Sequence, residues 1–151
     1  MIRREIICKT PAHTEQLGRT LAEHLFPGAF IALTGDLGAG KTAFVKGIGL
    51  GLGADTVASP TFTIVEEHDT NPRLYHFDVY RLSGEEELYA MGYEDYLDGE
   101  SVVFMEWANL VPNALPEQRL EIQINILPEG RCFVLAPYGE KYEELVETLC
   151  D

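Results

Sequence analysis

The sequence predicts an α/β protein whose mixed sheet is parallel at its centre and antiparallel at its flanks. Two short apolar runs, residues 30–34 (FIALT) and 102–105 (VVFM), are typical of strands that are buried on both faces, as in parallel sheets. Two other regions alternate apolar and polar residues on either side of turn-forming clusters, which is typical of antiparallel hairpins. These runs and hairpins together predict one sheet with helices packed against it.

The segments around these runs predict the remaining elements. Thr10 and Pro11 are typical of a helix start, because threonine caps free N–H groups and proline fits the first helical position. Ser83 and Glu86 form a capping-box pattern for a short helix. In chain order we predict a strand at 5–8, a helix from 11 to 26, a strand at 30–34, a helix at 43–48 that ends among glycines, a hairpin of 62–67 and 74–80, a short helix up to 91, a strand at 102–105, a hairpin of 120–126 and 132–135, and a helix at 140–149.

The composition indicates one folded domain with an acidic surface. A length of 151 residues fits a single domain, which we assign to residues 1–151. With 25 Asp and Glu against 11 Lys and Arg, the net charge is -14, and such a surface repels free nucleic acids and polyphosphates at long range. Any bound anion therefore needs local donors, and contact with nucleic acid needs a more basic partner.

The cysteines and the lengths of the apolar runs indicate the cellular compartment of the protein. Cys8, Cys132 and Cys150 include no CxxC pair, which argues against a disulfide framework and against zinc, and fits a reducing compartment. The apolar stretch near residue 1 is too short for a signal peptide, and no apolar run approaches the roughly 18–20 residues of a membrane span. We therefore expect a cytoplasmic protein without membrane contact.

The segment GDLGAGKT at residues 35–42 matches the P-loop pattern GxxxxGK[ST] in full. Its glycines allow successive N–H groups to point into one concave site, and the helix start behind them attracts phosphate. Lys41 is expected to reach the β- and γ-phosphates of a nucleotide, and the Thr42 hydroxyl to ligate Mg²⁺. A buried strand before the loop and a helix after it favour a nucleotide site over a chance glycine-rich turn. The residues expected to contact nucleotide here are Gly35, Asp36, Leu37, Gly38, Ala39, Gly40, Lys41, Thr42 and Ala43.

A P-loop also needs a carboxylate for the metal ion or the attacking water, and two candidates compete. Glu106 ends a predicted parallel strand, and ligands of such sheets lie at the carboxyl ends of the strands. Asp78 lies in HFDVYR, on the polar face of a predicted hairpin arm together with His76. The alternatives are that Glu106 is a surface strand end and Asp78 a paired hairpin residue, but the functional interpretation is favoured for both, and more strongly for Glu106. The sequence leaves open which carboxylate binds metal and which positions water.

Two further segments flank this site. Residues 59–63 (SPTFT) lie where P-loop switch proteins have their first switch, so Thr61 is expected near Mg²⁺ or the γ-phosphate. Taken without the P-loop, the same residues would be an ordinary proline-containing loop. Trp107 is either a core aromatic residue or a lid over the nucleotide, and its position after Glu106 favours the lid.

Missing motifs narrow the class of nucleotide-binding protein. The sequence has no NKxD-type segment, which argues against GTP specificity, and no arginine-rich lid of the kind found in nucleoside kinases. We therefore expect a P-loop NTPase-like three-layer fold and a Mg²⁺-dependent ATPase with ATP and Mg²⁺ as cofactors. Its catalytic residues would be Lys41, Glu106 and Asp78, and its metal ligands Thr42, Glu106 and Asp78. A catalytic arginine would come from another protein.

Four segments, GDLGAGKT, SPTFTIVEEH, LYHFDVYRL and VVFMEWAN, together resemble the TsaE (YjeE) family of bacterial P-loop ATPases. The resemblance runs from the first helix to about residue 127. It implies a role in the threonylcarbamoyladenosine modification at position 37 of ANN-reading tRNAs, in which the protein hydrolyses ATP on the TsaB–TsaD complex and meets tRNA only indirectly. By motif, it implies that Lys41 and Thr42 serve phosphates and Mg²⁺, that Asp78 and Glu106 serve metal or water, and that Ser59 and Thr61 belong to a switch-like loop.

Two other functions remain open at this point. One is a nucleotide-gated binding module whose ATP state controls assembly and whose hydrolysis is incidental. The other is a small-molecule kinase, which only the P-loop supports.

Overall fold

The computed structural model describes residues 3–35, 41–54 and 64–150 of the chain. Within these residues the strands are β1 (Arg4–Cys8), β2 (Phe30–Gly35), β3 (Val65–His68), β4 (Leu74–Asp78), β5 (Val102–Glu106), β6 (Arg119–Ile126) and β7 (Arg131–Tyr138). The α-helices are α1 (Pro11–Glu23), α2 (Lys41–Leu52), α3 (Glu85–Ala90), α4 (Tyr93–Tyr96) and α5 (Glu140–Cys150), and two 3₁₀ helices cover Ala108–Leu110 and Pro112–Ala114.

All of these strands belong to one mixed sheet in the order β1-β7-β6-β2-β5-β4-β3. Its central neighbours, β6-β2-β5-β4, are parallel, whereas β1-β7, β7-β6 and β4-β3 pair in the antiparallel sense. The predicted fold class is therefore confirmed. The hairpin arm β4 differs from its prediction in one respect, because it also joins the parallel centre beside β5.

The two faces of the sheet carry separate hydrophobic cores, which makes the fold three-layered. Along β2, Ile31 and Leu33 pack into one core, while Phe30 and Ala32 pack into the other. The first core is completed by α1, α2 and α5, and the second by α3, α4 and the 3₁₀ helices. This alternation follows from the period of two along a strand. Because both cores meet at the central strands, those strands read as uninterrupted apolar runs.

Helix α2 is longer than predicted, since it continues through its glycines to Leu52. Those glycines sit against α1: a Cβ added at Gly47 would lie 2.0 Å from the carbonyl oxygen of Glu15, and one at Gly18 would lie 2.4 Å from that of Phe44. Close packing of the two backbones therefore outweighs the low helix propensity of glycine. The glycine run is a helix–helix contact, and the prediction that the helix ends there was wrong.

Of the two predicted helix caps, the one at Thr10 is present and the one at Ser83 is not. The Thr10 side chain accepts a hydrogen bond from the N–H of His13, as its predicted N-cap role requires, although α1 already ends at Glu23. The predicted capping box at Ser83 is wrong, because the residue before α3 is Gly84 and the Ser83 hydroxyl donates to the carboxylate of Glu87 instead. In the part of the chain that the structure describes, no helix is long and apolar enough to cross a membrane.

Candidate functional site

Three neighbouring strands end at the same edge of the sheet, and the charged candidates lie at their ends. Strand β4 ends at Asp78 and β5 at Glu106, and these two residues are directly opposite each other in the parallel register. Glu106 is also opposite Leu33 of β2, two residues before the P-loop segment begins at the end of that strand. Helix α2 begins at Lys41 on the other side of that segment. The two competing carboxylates are therefore neighbours at one site.

The Glu106 carboxylate is fully buried and lies between two cationic or donor groups. Its Oε1 is 2.7 Å from the ammonium nitrogen of Lys41, whose side chain is only 20% exposed. Its Oε2 accepts a short hydrogen bond from Nε2 of His76, which is also fully buried. A carboxylate with no exposure to water is costly to ionise unless its charge is matched, and here both oxygens face such partners.

The balance of these effects sets the protonation state of Glu106. Burial acts to raise the pKa of this carboxyl group, but the hydrogen bond and charge of His76, followed by the nearby ammonium of Lys41, outweigh it and hold the pKa below its ordinary value. Glu106 is therefore a buried anion at neutral pH. As an acceptor it is ready for a cation or for a polarised water.

The contact with Lys41 is an ion pair rather than an aligned hydrogen bond. Among the described residues, Oε1 of Glu106 has no donor in hydrogen-bond geometry, although the Lys41 ammonium is close to it. Such an oxygen keeps a lone pair that can accept from a water or coordinate a cation. This unfilled acceptor fits the expected neighbourhood of a hydrated Mg²⁺.

His76 is the residue that the sequence analysis missed as part of the site. It was predicted to lie on a polar face of a hairpin arm, but the structure buries it completely and places it against Phe104, with ring centroids 5.4 Å apart. The available signal was a histidine two residues before Asp78 in a strand whose other residues are mostly apolar. That signal is visible once β4 is recognised as a strand covered on both faces.

Asp78 is placed differently from Glu106 although the two are paired in register. It is half-buried, and its Oδ1 accepts a hydrogen bond of 3.0 Å from the N–H of Tyr80, which closes the turn after β4. Its own N–H donates to the carbonyl of Ile64 at 2.9 Å. Asp78 therefore has a turn-forming role at the end of β4, through one of its two carboxylate oxygens.

The described part of the P-loop segment is the start of α2. Lys41 is its first residue, and Thr42 next to it is exposed. The first N–H groups of a helix have no partner inside the helix, so this helix start presents donors at the same edge as the carboxylates. Gly35 ends β2, and Ala43 is half-buried in the first turn of α2.

Trp107 has a left-handed backbone conformation, with φ of 62°, directly after Glu106. A bulky residue in this region is strained and is often held there at functional sites. The side chain is half-buried and packs on both cores, while its ring contacts that of Tyr80 with centroids 4.7 Å apart. Trp107 is thus partly a core residue, and its outer side, with the 60% exposed Tyr80, borders the site.

Several predicted site residues lie outside the described residues. These are Asp36, Leu37, Gly38, Ala39 and Gly40 of the P-loop and Ser59 and Thr61 of the switch-like segment. Within the described ranges, no group of three or more His, Cys, Asp or Glu side chains is arranged to hold a metal ion. Mg²⁺ at nucleotide sites is usually held by one or two carboxylates together with phosphate oxygens and waters, so a protein-only cage is not needed.

Comparison with known proteins extends over nearly the whole chain. The model of the family described as "Threonylcarbamoyl adenosine biosynthesis protein TsaE" matches residues 8–132. The TsaE protein of Bacillus subtilis is 40% identical over 142 residues, covering 92% of this chain and 89% of its own. That of Treponema pallidum is 36% identical over 125 residues, covering 82% and 93%.

A solved structure agrees with these relatives. The crystal structure of YdiB from Bacillus subtilis superimposes with a TM-score of 0.85 at 34% identity, covering 99% of this chain and 95% of that one. With the family match over residues 8–132, these similarities establish that the chain belongs to the TsaE family.

Proposed function

We propose that the protein is an ATP-hydrolysing accessory protein for the threonylcarbamoyladenosine modification at position 37 of ANN-reading tRNAs, acting on the TsaB–TsaD complex in the cytoplasm. The reaction is Mg²⁺-dependent hydrolysis of ATP to ADP and phosphate, slow without the partners. The observation that carries the catalytic part is the buried Glu106 anion held between Lys41 and His76 at the start of α2. The family membership carries the tRNA part.

The residues of this edge fit ATP and Mg²⁺. Lys41 and the first N–H groups of α2 would bind the phosphates, and the Thr42 hydroxyl with Asp78 or Glu106 would hold the metal ion. When bound, Mg²⁺ neutralises the charge that develops on the phosphates. Binding of the phosphates competes with Glu106 for the Lys41 ammonium, since the two are 2.7 Å apart in this structure.

The carboxylates have distinct roles available to them. Glu106 is a buried anion with an acceptor oxygen that lacks an aligned donor, so it can orient a water by accepting its proton in a hydrogen bond. Asp78 is half-buried, and one of its oxygens already accepts from Tyr80, which leaves the other for a metal ion or its water shell. This division favours Glu106 for the water and Asp78 for the metal.

The acidic surface supports an indirect relation to tRNA. A net charge of -14 opposes direct binding to a polyanion, so the protein would act on the complex that holds the tRNA. A basic face on the TsaB–TsaD pair would attract this chain, and their association would weaken as salt increases. Binding to the pair that does not change with salt would contradict this part.

The proposal is tested by ATP turnover of the purified chain, alone and titrated with the TsaB–TsaD pair from the same source. Slow turnover that rises with the pair and is lost in Lys41→Ala supports an ATPase completed by its partners. Lys46→Ala is the matched control, because Lys46 is on the same helix but its side chain is 60% exposed and 3.8 Å from Glu15. Turnover that the pair does not change would break the link to tRNA modification.

The same assay separates the proposal from a nucleotide-gated module. If Glu106→Gln binds ATP and fully sustains tRNA modification, hydrolysis is dispensable and the module is the better description. If modification falls together with turnover, hydrolysis is part of the function. Phosphorylation of a small acceptor without the partners would instead indicate a kinase.

A further inference from the structure

We infer that His76 is a positioning residue that acts through Glu106: it fixes the direction of the carboxylate, so that one oxygen stays toward Lys41 and the site. This inference rests on the proposed function, because the event that it serves is ATP hydrolysis. Neither the TsaE comparisons nor the motif pattern assigns a role to this histidine. The geometry of three buried groups points to it.

His76 and Glu106 come from neighbouring parallel strands. In the parallel pairing of β4 and β5, His76 is opposite Phe104 and Asp78 is opposite Glu106. His76 therefore lies one pleat further from the edge than Glu106, on the same face of the sheet. Its Nε2 reaches Oε2 of Glu106 from the interior side, while Lys41 approaches Oε1. The carboxylate is held from behind by His76, with its other oxygen toward the site.

The burial of His76 is not explained by packing alone. The side chain is fully buried, and its other ring nitrogen, Nδ1, has no hydrogen-bond partner among the described residues. A buried polar atom without a partner destabilises the fold, so an apolar residue would be preferred if packing were the only role. Within the described ranges, the one side-chain hydrogen bond of His76 is with Glu106. The histidine is thus explained by that contact.

Packed side chains hold the His76 imidazole in place. The Phe104 ring lies edge-on to the imidazole, with an angle of 70° between the planes. Phe104 and Leu74 belong to the core that α2 also joins, so the surroundings of His76 are packed side chains of regular elements. A donor fixed in this way leaves the carboxylate less freedom than a solvent-exposed partner would.

The variants that test the inference exploit the two nitrogens of histidine. His76→Gln places an amide N–H the same number of bonds from the backbone as Nε2 and can still donate to Glu106. His76→Asn is the matched control, since its amide corresponds to the unpartnered Nδ1 and is too short to reach Glu106. His76→Leu removes the donor and places an apolar side chain in the same buried position. Phe104→Leu shows what a change of packing alone does to turnover.

The activity arm measures kcat and KM for ATP in the presence of the TsaB–TsaD pair. Loss of a residue that orients a functional group typically costs about 10- to 100-fold, and we expect a loss of that size in kcat for His76→Asn and His76→Leu, with KM changed much less. His76→Gln recovers most of kcat. In the Glu106→Gln background His76→Leu causes no further loss, because there is no carboxylate left to position. Equal kcat in the Gln and Asn variants, or a further full loss in that background, would overturn the inference.

A second arm uses the free chain and needs neither nucleotide nor activity. Urea unfolding, followed by the emission of Trp107, the single tryptophan, is measured for His76→Leu, Glu106→Leu and the double variant. If His76 and Glu106 hold each other, the midpoint shifts of the two single variants do not add in the double variant. Additive shifts would overturn the inference even if wild-type turnover were robust. Absent turnover in the wild-type chain would instead count against the proposed function, and this arm would still decide the pairing.

Discussion

Two ion pairs of similar length lie in different halves of the same sheet. Lys41 and Glu106 approach to 2.7 Å in the parallel half, where the carboxylate has no exposed surface. Arg119 and Glu121 approach to 3.0 Å on β6, in the hairpin of β6 and β7, which is called the antiparallel half here although β6 also pairs in parallel with β2. Their side chains keep 18% and 25% of their surface exposed. The first pair joins two elements that meet at a strand end, whereas the second joins residues two apart on one strand.

The two pairs differ in how far stability alone can explain them. A buried carboxylate loses its hydration, and replacing such pairs by apolar residues is often neutral or stabilising, so stability alone is a weak reason to keep one. A pair that water still reaches is worth about 0–1 kcal/mol and is easily formed. The buried pair of the parallel half is therefore better explained by the chemistry that we propose for this site than by stability. In the antiparallel half the Glu121 carboxylate keeps contact with water, and Arg119 also lies 4.2 Å from the centre of the Tyr138 ring.

Removing the cation of the buried pair is expected to have the largest effect. Lys41→Ala takes away the charged group that we propose binds the phosphates, and losing one such preorganised contact costs about 10²–10³ in kcat. We expect at least that loss in ATP turnover with the TsaB–TsaD pair, and no loss in Arg119→Ala. Equal effects of the two substitutions would mean that the parallel edge is not the catalytic one.

Removing the buried anion is the next largest effect. Glu106→Gln keeps the size of the side chain and an acceptor for His76 but loses the charge that would orient a water, and general base groups contribute typically about 10²–10⁴-fold. We expect turnover to fall by about 10²-fold at the lower end of that range, with ATP binding retained. Steady-state kinetics and calorimetric titration with ATP measure the two quantities. Glu121→Gln serves as the control, and loss of ATP binding alongside turnover would show that Glu106 acts mainly on binding.

The parallel half is also the part that was easiest to predict from the sequence. Both of its faces are covered, so residues 30–34 and 102–105 read as continuous apolar runs that a surface strand would not show. A P-loop pattern then fixes the edge at which Glu106 must lie. The hairpin of β6 and β7 was predictable for a different reason, because its alternation has a period of two.

The predictions that were wrong concern residues whose contacts come from elements distant in the sequence. Gly47 looked like a helix stop, since local propensity carries no trace of the α1 backbone against it. His76 looked like a polar-face residue because its burial needs β5 on one side of β4 and a packed core above it. Local patterns thus gave the elements, while the partners of individual side chains came from tertiary packing.

Helix α2 carries Lys41 and packs against α1 at Gly47, so a substitution at Gly47 tests whether this helix contact supports the buried pair. Gly47→Ala would place a Cβ 2.0 Å from the carbonyl oxygen of Glu15, and overpacking of this kind costs about 1–3 kcal/mol. We expect a lower free energy of unfolding by that amount and reduced turnover, because α2 carries Lys41. The control is Gly84→Ala, since nothing lies within 4 Å of its added Cβ. Unchanged stability in Gly47→Ala would show that α1 and α2 can separate freely.

A smaller effect on stability is expected from the protonation of Glu106 as the pH is lowered. Its pKa in the folded protein is below the ordinary value of 4.5, so its ionised form stabilises the fold above that pH. As the pH falls below 4.5 and through the folded pKa, this contribution is lost. The difference in unfolding free energy between wild type and Glu106→Gln should therefore shift against the wild type in acid. Urea unfolding at several pH values measures it, and a difference that does not vary with pH would contradict the lowered pKa.

The smallest expected effect is in the antiparallel half. Glu121→Gln removes the charge that faces two nitrogens of the Arg119 guanidinium, at 3.1 and 3.0 Å, but Arg119 retains its bond to the carbonyl of Pro116 and its position over Tyr138. Water reaches both partners, so we expect a loss of about 1 kcal/mol or less, which high salt should reduce further. Urea unfolding at low and high salt measures this. A loss as large as that of Gly47→Ala, and insensitive to salt, would mean that the exposed pair is as tightly coupled to the fold as the buried one, and burial would no longer separate the two halves.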